Sequence, residues 1–223
     1  MSLKFLNKTI AGLVIAASCL VSVANAGIIY SNDFESGSIA VEFSNYNSVV
    51  SAPNGQSFIG TLNNGATPTL NLNSLALHSS ITIDFDIYGI RSLDGTDSGD
   101  NFEFFINDLS QFVDFYGHSG GVIVGPTTGR LISHDSSDFG YGHFYGGVST
   151  YHYSITLAHV DPSISFGFMA NTDSGMDDEA FGLDNVVVSF VPSATADVPE
   201  PSTLAIFALG MMGLASRGFK EQS

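Results

Sequence analysis

Residues 81–88 read Ile81-Thr82-Ile83-Asp84-Phe85-Asp86-Ile87-Tyr88, alternating apolar and polar side chains without a break. That two-residue period places Ile81, Ile83, Phe85 and Ile87 on one side of an extended strand, whereas a helix would scatter them around its circumference. One such strand needs neighbours to pair with and a second layer to cover its apolar face. Comparable alternation recurs at 102–106, 151–157 and 164–170, and 186–190 forms a nearly continuous apolar run suited to a more buried strand. Shorter candidates are 28–30, 39–43, 58–62, 112–115, 122–124 and 130–133. Turn signals separate them, among them Pro53-Asn54-Gly55, Asn63-Asn64-Gly65, Asp94-Gly95, Gly120-Gly121 and Gly146-Gly147. No segment between the two ends of the chain carries a helical period and no internal repeat is visible. The expectation is an all-β domain, a β-sandwich.

The charge of that domain excludes several functions. Of six Lys and Arg, Lys4, Lys8, Arg217 and Lys220 lie in the terminal segments, leaving Arg91 and Arg130. Of 22 carboxylates, Asp197, Glu200 and Glu221 lie near the C-terminus; the remaining 19 against two arginines give the domain a formal charge of −17. Such a surface repels nucleic acid and anionic lipid and attracts cations. The 18 Phe and 8 Tyr argue against disorder.

Both ends of the chain read as addresses. Lys4 and Lys8 precede an apolar run over 10–23, closed by Ala24-Asn25-Ala26. A basic head, a short apolar core and an A-x-A site make a signal peptide over 1–26, an N-terminal signal helix that signal peptidase removes to leave Gly27. The single cysteine, Cys19, lies inside it. A lipoprotein reading of Ala16-Ala17-Ser18-Cys19 lacks the usual Leu three residues before the cysteine. The mature chain therefore holds no disulfide, and another device must supply stability outside the cell. At the other end, a short linker over 193–197 leads to Val198-Pro199-Glu200-Pro201-Ser202-Thr203, then an apolar stretch over 203–216, then Arg217 and Lys220. Prolines end the domain, the apolar segment enters a bilayer as a short transmembrane helix, and the basic residues stay cytoplasmic.

This order of elements, Pro199-Glu200-Pro201, short apolar helix and basic end, on a chain that also opens with a signal peptide, resembles the PEP-CTERM sorting signal of Gram-negative bacteria. The resemblance spans 198–223 and implies an exosortase that recognises Pro199, Glu200 and Pro201 and removes the tail. A transient inner-membrane anchor, and a destination at the cell surface or in the extracellular matrix of an exopolysaccharide-making cell, follow from it. The basic cluster is thin, Arg217 and Lys220 being diluted by Glu221, which bears on the efficiency of processing.

Between the ends, 27–192 holds two acidic, Gly-rich loops. One runs Asp94-Gly95-Thr96-Asp97-Ser98-Gly99-Asp100, the other Asp173-Ser174-Gly175-Met176-Asp177-Asp178-Glu179. Calcium takes six to eight oxygens, and loops of this kind supply both carboxylates and carbonyls. Neither has the spacing of an EF-hand, and solvated acidic turns are the plain alternative. Crowded like charges favour a cation. A second resemblance locates a site: Tyr30-Ser31-Asn32-Asp33-Phe34-Glu35-Ser36-Gly37 and Phe181-Gly182-Leu183-Asp184-Asn185-Val186 resemble the paired termini of jelly-roll, lectin-like carbohydrate-binding modules. It implies first and last strands lying together with a calcium ion near their ends, Glu35 and Asp184 matching its ligands. The expected ligand set is thus Glu35, Asp94, Asp97, Asp100, Asp178 and Asp184, with calcium as a structural clamp.

Catalysis finds little support. Gly117-His118-Ser119-Gly120-Gly121 fits G-x-S-x-G, but a nucleophile elbow needs a following helix and Val122-Ile123-Val124-Gly125-Pro126 does not supply one. Asp84 and Asp86, which share one face of a strand, read as its polar solvent face, and no glucanase-like E-x-D-x-E array exists. His78, His118, His134, His143, His152 and His159 lack zinc spacing. A non-enzymatic binding surface fits better: Phe139-Gly140-Tyr141-Gly142-His143-Phe144-Tyr145 sets rings among glycines, with Tyr141 and Tyr145 as candidate sugar-stacking residues, although the same rings would also serve as core. The reading is an exported surface or biofilm-matrix protein associated with exopolysaccharide. A purely structural biofilm protein is the alternative, and a secreted hydrolase the third. One Thr67-Pro68-Thr69 and no threonine array leave no ice-binding face.

Overall fold

The computed structural model describes residues 26–46, 48–95, 99–117, 125, 127–141, 146–174 and 177–193. The signal segment before residue 26, the strand candidate at 122–124, and the tail with Pro199, Glu200, Pro201 and the apolar stretch 203–216 lie outside them. Among the described residues no helix is long and apolar enough to cross a membrane.

Among the described residues twelve strands follow one another: β1 Gly27–Asn32, β2 Phe43–Ser44, β3 Val49–Ser51, β4 Ser57–Leu62, β5 Thr69–Asn73, β6 His78–Arg91, β7 Asn101–Ile106, β8 Leu109–Phe115, β9 Arg130–Asp135, β10 Val148–Ala158, β11 Ser163–Asn171 and β12 Glu179–Pro192. They pair antiparallel throughout, into two sheets. The larger, of seven strands, runs β3-β4-β12-β6-β10-β9, with β1 beside β12; the smaller, of five, runs β2-β5-β11-β7-β8. The chain is an all-β two-sheet sandwich. The first and last strands do lie together, Gly27 opposite Phe190 and Asn32 opposite Val186.

Alternation decides the core. Ile81, Ile83, Phe85 and Ile87 of β6 are fully buried between the sheets. Phe85 stacks on Tyr153 with ring centroids 5.0 Å apart and meets Phe104 at 5.2 Å and Phe168 at 5.1 Å. Burying a side chain of that size is worth roughly 2–3 kcal/mol, and the rings replace the missing disulfides as the main source of cohesion. A second, smaller cluster of Ala52, Phe58, Tyr88, Ile90, Phe139, Val148 and Ala180 sits apart from that core. Gly182 admits it, since a Cβ there would stand 2.6 Å from Phe58 Cδ2 and 3.0 Å from Tyr88 Cδ2.

Three local expectations are corrected. Residues 39–43 are mostly a turn, closed by the Phe43 N–H donating to the Ala40 carbonyl at 3.1 Å and leaving Val41 fully exposed. Strands β3 and β5 arise where none was expected; β5, Thr69-Leu70-Asn71-Leu72-Asn73, alternates strictly, but asparagine is rare in strands. Finally, Asp86 is not a solvated face residue: it is buried among cross-strand neighbours.

Strand direction gives the sandwich two dissimilar ends. Strand β12 leads from Glu179 to Pro192, roughly 45 Å at the usual rise per residue. Its Glu179 end gathers Arg91, opposite it across the ladder, and the loops around Asp94, Asp100 and Asp173. Its Pro192 end gathers Gly27, His78 and Ala158.

Candidate functional site

At the Glu179 end, parity along the strands turns carboxylates inward. Glu179 shares the alternate positions of buried Phe181 and Leu183 in β12, and Asp100, just before β7, shares those of buried Phe102, Phe104 and Ile106. Both carboxylates are buried, at the mouth of the sandwich. Asp173, two residues past β11, completes a group in which one oxygen from each of Asp100, Asp173 and Glu179 lies within 4.8 Å of the others.

The surrounding backbone holds this triad in place. Asp100 accepts the Asp94 N–H at 2.6 Å on one oxygen and the Asp173 N–H at 3.3 Å on the other. Glu179 Oε2 accepts the Ser174 N–H at 3.2 Å. Burial, then the negative charge of Asp100 and Asp173, push the Glu179 carboxyl up to about 8. Asp94 is likewise raised, by burial first and by Asp100, Asp173 and Asp178 after it. Arg91 is the nearby cation, but it is engaged elsewhere: its Nε reaches Asp138 Oδ2 at 3.2 Å and its Nη1 the Asp177 carbonyl at 2.5 Å. The donor set is all oxygen, the preference of calcium or magnesium. Two oxygens bound to one calcium at about 2.4 Å stand at most about 4.8 Å apart, so the triad fits around such an ion.

Sequence reading gathered its candidates by loop, and the structure divides them in two. Asp100 is a member of the triad and Asp94 its neighbour. Asp178 lies next to Glu179 but spends Oδ1 on the Ser92 hydroxyl at 2.7 Å. Asp97 lies outside the described residues. Asp173 and Glu179 were not singled out as ligands; strand parity marks Glu179, an acid at an inward position of an alternating strand, whereas Asp173 is exposed in the loop past β11 and no strand pattern marks it.

Glu35 and Asp184 meet at a second place, five residues along β12 from Glu179. The Gln56 side-chain N–H₂ stands between them, donating at 2.9 Å to Glu35 Oε1 and at 2.9 Å to Asp184 Oδ2. Ser57 N–H adds 3.1 Å to Glu35, and the Tyr88 hydroxyl donates to Asp184 at 2.5 Å. A cross-strand row continues through Asp86, opposite Asp184, and His152, opposite Asp86. His152 Nδ1 lies 2.8 Å from Asp86 Oδ1, and Asn185 Nδ2 donates to Asp86 Oδ2 at 2.9 Å. Burial holds the Asp184 carboxyl up, at about 6, with Asp86 and Glu35 adding to the effect against the lowering hydrogen bonds of Tyr88 and Asn185.

The aromatic loop takes a different role from a free platform. Phe139 is buried in the smaller cluster, and Tyr141 packs half-buried on its margin with the Arg91 guanidinium 5.1 Å from its ring centroid. One face of that ring is occupied by the arginine. Tyr145, His143 and the Ser119 motif, Gly117 excepted, lie outside the described residues. The other histidines have neighbours: His78 Nε2 and His159 Nδ1 are 2.7 Å apart, and His134 Nδ1 is 2.8 Å from the Ser149 hydroxyl.

Residues 197–220 match the model of the PEP-CTERM protein-sorting motif. The motif implies export, processing by exosortase and sorting to the cell surface. No curated protein matches the sequence. Among solved structures, an exo-β-1,3-galactanase from Phanerochaete chrysosporium is similar at 19% identity and a TM-score of 0.35, over 71% of this chain and 28% of that one. This chain thus spans little more than a quarter of the galactanase. A family 35 carbohydrate-binding module from an environmental isolate is similar at 16% identity and TM-score 0.36, over 69% and 94% of the two chains. A carbohydrate-binding module of specific mannan recognition follows at 12% identity and TM-score 0.37, over 75% and 99%.

Proposed function

We propose that the chain is a non-enzymatic, exopolysaccharide-associated module of the cell surface or biofilm matrix, of jelly-roll, lectin-like type, clamped by a calcium ion at its Glu179 end. Export and sorting are carried by the tail motif at 197–220. The clamp is carried by one observation, the convergence of Asp100, Asp173 and Glu179 within 4.8 Å. The three residues come from the start of β7, the end of β11 and the start of β12, so one ion would tie both sheets together where no disulfide does. When bound, the ion supplies positive charge to a crowded acidic site; nothing in this reading assigns it a part in a reaction.

A second cation position, between Glu35 and Asp184, is favoured by the raised Asp184 carboxyl and requires the Gln56 amide to move aside. Thermal unfolding of the exported chain in calcium and in chelator separates the two. Calcium at about 100 times its dissociation constant adds about 2.7 kcal/mol, a shift of roughly 5–10 °C for a domain of this size. Glu179→Gln is expected to abolish that gain while Asp184→Asn retains it; the reverse pattern moves the ion to the second position, and no gain with the unsubstituted chain removes calcium altogether. A purely structural matrix protein would show the calcium gain without retention by any polysaccharide.

A further inference from the structure

We infer that the glycan-binding surface of this chain is the outer face of the five-stranded sheet, and that it takes a neutral polysaccharide. The inference rests on the reading of the chain as a polysaccharide-associated module and gives that reading a site. Along the chain leading into and through β5, the residues facing away from buried Leu70 and Leu72 are Thr67, Thr69, Asn71 and Asn73. Beside them on β11 stand Ser163, Ser165, Gly167 and Met169, paired in register with Asn73, Asn71 and Thr69. Phe105 of β7 faces out opposite Gly167.

Two open depressions mark this face. One, of about 200 Å³, is lined by Asn71, Asn73, Asn107, Ser163, Ile164 and Ser165. The other, of about 220 Å³, is bordered by Thr67, Thr69, Phe105, Gly167 and Met169, with Asp108 at its edge. Gly167 forms part of the second, and a Cβ there would approach Phe105 Cβ at 3.2 Å; the missing side chain keeps the ring beside an unobstructed floor.

The polar groups are held ready. Asn71 Nδ2 donates to the Ser44 hydroxyl at 2.9 Å and to the Glu42 and Thr69 carbonyls at 3.3 and 3.2 Å. Asn45 Nδ2 donates to Thr69 Oγ1 at 3.1 Å, and Asn107 Oδ1 accepts the Ser165 N–H at 2.9 Å. These bonds fix Asn71 and Asn107 and leave Asn71 Oδ1 and Asn107 Nδ2 to bond an incoming ligand, beside the Asn73 amide and the Ser163 and Ser165 hydroxyls. Immobilised donors and acceptors lose little entropy on binding. The half-buried Phe105 ring offers its electron-rich face to the C–H side of a pyranose. Hydroxyl groups matched to amides and a ring beside a flat floor describe a sugar chain.

Charge selects the class of sugar. Across the β5 and β11 rows the side chains are uncharged, in a domain whose formal charge is −17, two arginines against 19 carboxylates. Glu103 of β7, on the outward side with Phe105 and opposite Met169, and Asp108 at the edge are the carboxylates bordering these rows; they add to a potential that repels uronate and sulfate sugars, while the uncharged β5 and β11 rows cost a neutral glycan little desolvation of ions.

The test is affinity electrophoresis of the exported chain, with its tail in detergent, through gels holding soluble β-glucan, galactan, mannan or the anionic alginate. Retardation by a neutral glycan is expected, weakened about tenfold or more by Phe105→Ala and by Ser165→Glu, and unchanged by Tyr141→Ala. Circular dichroism of each variant, with Asn73→Asp as a second polar substitution on exposed backbone, keeps loss of fold apart from loss of site. Retardation lost with Tyr141→Ala but kept in the three sheet variants overturns this site and leaves the polysaccharide reading standing. Retardation by none of the glycans overturns both. Equal retardation by alginate overturns the neutral class, and a concentration-dependent dimer abolished by Phe105→Ala makes a second copy the occupant and overturns the inference.

Discussion

Glu179 shows how far a single carboxylate depends on the direction its strand turns it. Its carboxyl, raised to about 8 by burial and by Asp100 and Asp173, binds a proton in the native state at pH values where the unfolded chain, near 4.5, has released one. The metal-free domain is therefore most stable below pH 4.5 so far as this group is concerned, and loses that contribution as pH rises through 8. Asp184, raised to about 6, acts in the same sense over a lower window. In chelator, the melting temperature is expected to fall as pH climbs from 5 to 8, and Glu179→Gln to flatten that fall; in calcium the fall is expected to disappear, because the ion competes with the proton. A melting temperature that rises with pH in chelator would contradict the raised carboxyl. Residue by residue, acidic character was legible and partnership was not. The sequence marks Asp86 as polar at an outward position, yet His152 from β10 and Asn185 from β12 converge on it, and those neighbours are set by sheet order that no local pattern states.

Among the elements, those carried by aliphatic and aromatic alternation were readable, and β6, β7, β10 and β11 cover the expected segments. Strand β5 is less legible because two of its three outward positions are asparagines, a residue depleted in strands. The period was the better guide, since buried Leu70 and Leu72 determine the pairing. Elements are also tied by groups invisible in sequence. Buried Asp114 of β8 accepts the N–H groups of Thr127 at 3.2 Å, Thr128 at 3.1 Å and Gly129 at 3.1 Å, together with the Tyr153 hydroxyl at 3.0 Å. A loop residue run, a strand of each sheet and a core ring thus share one carboxylate. Removing it takes the shared acceptor from three backbone amides and from the buried Tyr153 hydroxyl, at a cost on the order of 3 kcal/mol. Asp114→Ala is expected to lower the melting temperature by about 10 °C and to expose the backbone amides of 127–129 to hydrogen exchange. Unchanged exchange there would show that the loop is held by something else.

At the scale of the whole molecule, the strand order fixes an orientation. Gly27 opens β1 opposite Phe190, and β12 ends at Pro192, so the signal segment and the sorting tail join the sandwich at the same end. The acidic triad lies at the opposite end, roughly 45 Å away along β12. A chain held by its tail then keeps Val160, exposed in the turn between β10 and β11, on the side of its anchor, while Asp177 beside the triad faces away. About ten residues separate Ser193 from the apolar stretch, a tether of at most about 35 Å, shorter than the sandwich. Cysteines placed by Val160→Cys and Asp177→Cys report this orientation, because the one native cysteine, Cys19, lies in the segment read as a signal peptide, outside the sandwich. In vesicles carrying the tail-anchored protein, a bulky maleimide is expected to label Asp177→Cys at the same rate before and after the tail is cut. Val160→Cys is expected to be labelled several-fold more slowly until the cut, then at the rate of the free protein. Such a difference would mean that the end bearing the acidic triad meets the surroundings of the cell first, with the outer face of the five-stranded sheet running alongside it; equal rates before the cut would mean that the tether lets the sandwich turn over, and the two ends would then be equivalent to any ligand approaching the cell.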